Sequence, residues 1–149
     1  MARVATRDAK SVYVASPLGF TGEGRHYLKT VILPQLRERG FVVLDPWEED
    51  GGLLGAHELG RRNVDLIERA DAVLALLNGP DVDSWTAAEI GYAYARGCPV
   101  VGWRDDFRQA GESEETPVNL QVAYFVRKSG GRIEPSLDQA VAALGDVLA

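Results

Sequence analysis

The chain has 149 residues and a formal net charge of −6, and its 46% apolar and 26% charged content is that of one globular domain spanning 1–149. An acidic chain is ill suited to a nucleic-acid backbone, and apolar runs such as AVLALL (72–77) are far too short to cross a membrane. Cys98 is the only cysteine, so no internal disulfide forms. The opening MARVATRDAK has no apolar segment of a secretory signal, and a flexible N-terminus (1–10) and a cytoplasmic location are expected.

Taken in chain order, Ser11–Ala15 (SVYVA) is expected as a first strand and Gly24–Arg39 as a helix closed by Gly40 and kinked at Pro34. Phe41–Asp45 follows as a second strand, then a loop rich in Trp, Glu, Asp and Gly. A helix over His57–Arg69 carries Leu59, Val64 and Ile67 on one side. Ala72–Leu77 is a third strand, Trp85–Arg96 a helix closed by Gly97, and Pro99–Trp103 a fourth strand. After a polar loop (Arg104–Pro117) come a short helix (Asn119–Arg127), a short strand (Gly131–Ile133) and a helix (Ser136–Leu148) with Ser136 and Gln139 spaced as a capping box. Strands that are apolar throughout and alternate with helices indicate an α/β fold: a doubly wound, flavodoxin-like, five-stranded parallel sheet of order 2-1-3-4-5, flanked by helices. Ligands of such sheets sit beyond the carboxyl ends of the strands. That rule sends SPLGFTGEG (16–24) and NGPDVDSW (78–85) to one cleft.

The junction DVDSWTAAE (81–89) holds more chemistry than a helix cap requires. Glu89, about one turn into the helix, has two readings. It is a carboxylate stabilised by the positive end of the helix dipole, or a nucleophile held ionised at the cleft. Asp83 is an ordinary cap or the second acid of a pair, and Asp83, Ser84 and Thr86 cannot all cap one helix. Two carboxylates in one cleft suit glycosyl chemistry; retaining glycosidases hold theirs about 5–5.5 Å apart. Phe20, between glycines, is placed to stack on a flat ring, and Trp47 either does the same or packs in the core. Asn63 faces either the cleft or solvent. Tyr13 is expected to be buried, with its hydroxyl needing a partner such as Glu89. The glycine-rich GFTGEGR lacks the ending of a Walker loop. His26 and His57 are isolated, with no spacing that suggests a metal, and Cys98 has no activating neighbour.

VYVASPLGF (12–20), NVDLIERADAVLALLNG (63–79), DVDSWTAAEIGYAYARGCPVVGWRDDFR (81–108) and VNLQVAYFV (118–126) together resemble the nucleoside 2-deoxyribosyltransferase family. The resemblance implies a transglycosylase that moves 2-deoxyribose between nucleobases without a cofactor or metal, taking a deoxynucleoside as donor and a free nucleobase as acceptor. Glu89 matches the family nucleophile, which forms a covalent deoxyribosyl-enzyme so that configuration is retained. Asp83 matches the acid that contacts the departing base, Tyr13 the tyrosine that orients the nucleophile, and Phe20 an aromatic lining the base pocket. Asn63 falls where many members have Asp and others Asn. Asn119 matches an asparagine that reaches into a neighbouring subunit's site, which implies a homo-oligomer, commonly a hexamer of dimers. The chain departs from the family at Trp85, where glycine is common, and at Gln121, where some members have methionine. A hydrolase of deoxynucleosides or their 5′-monophosphates is the nearest alternative. Asp83 disfavours a phosphate, since phosphate-binding relatives tend to have serine there, while Ser84 and Arg25 favour one. A non-catalytic nucleoside-binding protein is a second alternative.

Overall fold

Side chains of a strand alternate between faces, so a strand that is apolar at every position must be covered on both. The computed structural model, which describes residues 8–49 and 55–149, shows this arrangement. Five strands, β1 (Ser11–Ala15), β2 (Val42–Leu44), β3 (Ala72–Leu76), β4 (Val100–Trp103) and β5 (Ile133–Glu134), form one sheet of order β2-β1-β3-β4-β5. All four pairings are parallel, with Tyr13 opposite Leu44 and Val73, and Trp103 opposite Leu76 and Glu134. The expected order and direction hold.

Val12, Val14, Leu74 and Leu76 turn to one face, where they meet the turn that follows α1 (Gly22–Tyr27), through Leu28 and Ile32, together with α2 (Leu33–Glu38) and α7 (Leu137–Val147). Tyr13, Ala15, Val73 and Ala75 turn to the other, beneath α4 (Ala56–Arg69), α5 (Ser84–Ala95) and α6 (Leu120–Lys128). A four-residue α3 (Pro46–Glu49) follows β2. Each fully buried aliphatic side chain stabilises by about 1.5–3 kcal/mol, and both central strands are buried at nearly every position.

The first helical region differs from expectation. It begins at Gly22, and between α1 and α2 it widens into a π turn (Leu28–Ile32) in which the Leu33 N–H donates to the Leu28 carbonyl, five residues back. Pro34 has no N–H to give the carbonyl four residues before it, and the π turn falls just ahead of it. Gly40 (φ 84°) and Gly97 (φ 73°) take the left-handed conformation where this region and α5 end, as expected of glycine there. The last strand lies at 133–134 rather than 131–133. Ser136 accepts from the Gln139 N–H (3.2 Å), but Gln139 Oε1 bonds the Ser136 hydroxyl (2.8 Å), so the box closes side chain to side chain. Part of the expected loop after β2, and most of the segment expected to be flexible at the N-terminus, lie outside the described residues.

The loops at the carboxyl edge are tied together by residues that sequence patterning does not single out. The Arg104 guanidinium is buried and donates to the carbonyls of Leu77 (2.6 Å), Gly79 (3.0 Å) and Arg108 (2.8 Å). Asn78 Oδ1 accepts from the N–H groups of Asp105 (2.9 Å) and Asp106 (3.1 Å). The loop that leads into α5 is thereby clamped to the loop after β4. Arg104→Ala strands three carbonyls, and it is expected to lower unfolding free energy by roughly 2–4 kcal/mol in urea titration; an unchanged midpoint would show the clamp to be dispensable.

Candidate active site

The site is organised by α5. Asp83 is its N-cap: Oδ2 accepts from the Thr86 N–H (3.0 Å) and hydroxyl (3.3 Å), while Ser84 stays exposed. Asp83 and Thr86 thus share one cap, which accounts for two of the three polar side chains at the junction. Ile90 and Ala93 bury the far face of α5 against the sheet. That leaves Trp85, Glu89 and Tyr92, spaced at helical intervals, on a side of α5 turned toward α4.

Glu89 is only 7% exposed. It is the sixth residue of α5, beyond the first turn to which the dipole effect is confined. The expected stabilisation of its anion by the helix start is therefore not what governs it. Burial dominates and pushes its pKa up to about 8; the Asp83 charge adds to the rise, while Tyr13 and the Trp85 indole act against it. The Tyr13 phenol is fully buried and couples to Glu89, and burial together with that carboxyl raises its own pKa. The contact falls short of a formed hydrogen bond, because Tyr13 Oη and Glu89 Oε2 both lack a partner within bonding geometry. Sequence reasoning paired these two residues correctly but expected the bond to be made.

Glu89 lines a cleft of about 380 Å³ between α4 and α5, together with Asn63, Val64, Ile67, Trp85 and Tyr92. Asn63 is buried and faces this cleft, not solvent. With its amide turned so that both ends are satisfied, Oδ1 accepts from Trp85 Nε1 (2.9 Å) and Nδ2 donates to the Leu59 carbonyl (3.1 Å). Val64, expected on the packed side of its helix, is partly exposed along the cleft wall.

Three rings, from the turn after β1, from α3 and from the start of α5, meet at the rim. Phe20 stands edge-on to Trp47 (centroids 4.8 Å) and to Trp85 (5.2 Å), and Trp47 lies 5.6 Å from Trp85. Phe20 is half exposed, as expected for a residue outside the core. Trp47 takes the second of its two readings, packing against the core, and it also meets Phe20 and Trp85. Its Nε1 donates to the Ser16 carbonyl (3.2 Å), and its ring lies on Gly19, where a Cβ would sit 1.9 Å from it.

The two loops expected to share one cleft do so only partly. Pro17, Leu18 and Asn78 border a hollow of about 90 Å³, but its other walls, Leu76 and Trp103, belong to the opposite face of the sheet from Glu89. Asn119 and Gln121 are not brought to Glu89 within one chain. Asn119 Oδ1 caps α6, accepting from the N–H groups of Gln121 (2.9 Å) and Val122 (3.2 Å), and α6 packs through Phe125 on the Gly91 and Tyr94 side of α5. His26 and His57 are exposed. Cys98 is buried, with its thiol pushed up to about 11 by burial and by Asp71.

Asp45 went unnoticed in the sequence. At the end of β2 it is buried, caps the turn into α3 through the Trp47 N–H (3.1 Å), and keeps Oδ2 without a partner. Burial raises its pKa to about 6. Only its place at a carboxyl end of a strand, beside a tryptophan, signalled it.

The doubly wound sheet thus carries a buried carboxyl, one of its oxygens without a partner, in a cleft along the helix after β3, with aromatic rings at the rim. The chain belongs to the nucleoside 2-deoxyribosyltransferase family, whose profile matches residues 12–121. It is similar in structure to a 2-desoxiribosyltransferase from Leishmania mexicana (25% identity, 93% of this chain and 97% of that one, TM-score 0.70). It is also similar to a conserved protein from Enterococcus faecalis (24%, 93% and 98%, 0.77) and to a CMP N-glycosidase from Clostridium botulinum (20%, 91% and 98%, 0.61). No curated protein sequence matches the chain. Among the described residues no helix is long and apolar enough to cross a membrane.

Burial of Glu89 has a consequence for stability. Its folded-state pKa, about 8, lies above the ordinary 4.5, so between these values the folded chain binds more protons than the unfolded one and stability falls as pH rises. Glu89→Gln, which mimics the protonated acid, is expected to match the parent near pH 4. Above pH 8 it is expected to exceed the parent by on the order of 3–5 kcal/mol in denaturant titrations. A difference independent of pH would contradict the burial argument.

Proposed function

We propose that the chain is a transglycosylase that exchanges the nucleobase of 2′-deoxyribonucleosides, with Glu89 as nucleophile. The observation that carries this reading is a buried carboxyl with one oxygen unpartnered and, among the described residues, no ion pair, lining a cleft beneath a rim of aromatic rings. Such a carboxyl costs energy in the ligand-free protein and is matched by a cation that forms during reaction. As the C1′–N bond of the donor breaks, its electron pair goes to the base nitrogen and positive charge grows at C1′. Glu89 opposes that charge and then bonds to C1′, giving a deoxyribosyl ester. A nitrogen of the second base attacks C1′, the ester bond breaks, and the carboxylate is restored. Two inversions keep the β configuration.

Asp83, one helical turn and a half toward the rim, tends the departing base with whatever bonding capacity its capping role leaves. Tyr13 orients the Glu89 oxygen, Phe20 and Trp47 flank the ring, and Asn63 braces the wall beside it. Asn119 and Gln121 serve a second copy's site, so the working unit is a homo-oligomer. Nucleosides rather than 5′-phosphates are preferred because Asp83 repels a dianion and Arg25 is engaged with the Gly19 carbonyl (3.0 Å).

The proton on Glu89 must leave before it attacks. The expected kcat/KM therefore rises with pH and levels off above about 8, the value to which burial lifts this carboxyl; a profile flat from pH 5 to 9 would exclude Glu89 as the ionising nucleophile. Glu89→Ala is expected to abolish base exchange between deoxynucleosides and free bases, followed by chromatography. Near-normal exchange by that variant removes Glu89 from the role. Base release without exchange, or activity confined to the 5′-monophosphate, assigns the chain to the hydrolases instead.

A further inference from the structure

Trp85 and Glu89 are four residues apart on α5, hence on one face and one turn apart. Asp83 lies a further two residues toward the rim, about 9 Å from Glu89 along the axis at about 1.5 Å per residue. Trp85 and Glu89 line the same cleft, so a ring attached to a sugar carbon at Glu89 lies beside the Trp85 indole.

That indole is not free to swing aside. Its N–H is bound by the buried Asn63 amide at 2.9 Å, and the other end of that amide is tied to the Leu59 carbonyl at 3.1 Å. Phe20 and Trp47 press on it from the rim at 5.2 and 5.6 Å. A polar anchor at one end and two ring contacts at the other make Trp85 a wall. An indole is itself a fused two-ring system of purine size, so it removes from the rim side of Glu89 the depth that the second ring of a purine would need. The same anchor takes one N–H and one lone pair of the Asn63 amide, so Asn63 is held in place as the brace of Trp85.

We propose that Trp85 sets the ring size accepted by the site: single-ring nucleobases enter, and fused two-ring nucleobases are rejected. This rests on the transglycosylase reading above and goes beyond it by naming the substrate class. Trp85 acts here as a specificity residue, and Asn63 positions it.

The test is initial rates for wild type, Trp85→Gly and Trp85→Phe with thymidine, deoxycytidine, deoxyadenosine and deoxyguanosine as donors. Wild type is expected to favour the single-ring donors by about 10- to 100-fold in kcat/KM, the range a packed wall commands. Trp85→Gly is expected to narrow that ratio by raising use of the two-ring donors. Equal use of both classes by wild type overturns the proposal, as does a folded Trp85→Gly with the ratio unchanged. Should the glycine variant fail to fold, the wild-type ratio and Trp85→Phe, with a smaller ring and no N–H, decide in the same way. Should wild type turn over none of the donors, the transglycosylase reading fails. Ring size is then judged by quenching of tryptophan fluorescence with free cytosine and free adenine: tighter binding of cytosine supports the wall, and equal or tighter binding of adenine overturns it.

Discussion

The structure around the site depends on one costly arrangement: a carboxyl group taken out of water and, among the described residues, in no ion pair. Glu89 is 7% exposed and its Oε2 has no hydrogen-bond partner. A carboxyl so placed holds its proton at neutral pH rather than bearing an unmatched charge, and this is the sense of its pKa near 8. The surroundings keep it from relaxing. Ile90 and Ala93 fasten α5 to the sheet, Asp83 caps the helix, and the Tyr13 phenol, rising from β1, closes the space beneath.

From that arrangement the proposed chemistry follows with few added parts. A group that is poorly solvated while charged gains most when a positive charge forms next to it, and the sugar cation of a departing nucleobase is such a charge. The aromatic rim gives a flat ring surfaces to meet, and the clamp through Arg104 and Asn78 holds the α5 approach in place. Asp45, buried and half unpaired at the neighbouring strand end, adds a second carboxyl whose charge is disfavoured. The carboxyl edge of the sheet therefore concentrates stored electrostatic cost on both sides of Tyr13, which feels both acids.

Much of this was legible in the sequence, because strands that are apolar throughout leave a doubly covered parallel sheet as the natural solution, and the order 2-1-3-4-5 follows from short right-handed crossovers. The burial of Tyr13 beside Glu89 and the exposure of Phe20 were also legible, the first from a hydroxyl inside an apolar strand and the second from a phenylalanine set between glycines. What local patterning does not hold is anything decided by residues distant in the chain. The depth at which Glu89 is buried depends on Tyr13 and Trp85 together. The bond from Trp85 to Asn63 spans two helices. Arg104 looked like the first residue of a polar loop, yet its guanidinium is buried among three carbonyls. Asp45 looked like the last residue of a strand.

The measurement that bears most directly on the whole account is acid-quenched mass spectrometry of the protein after brief incubation with a 2′-deoxynucleoside and no acceptor base. The account predicts a mass gain of one deoxyribosyl group that maps, after proteolysis, to Glu89 and is lost on adding a free nucleobase. Base release with the protein unmodified throughout, or an adduct on a different residue, would contradict it.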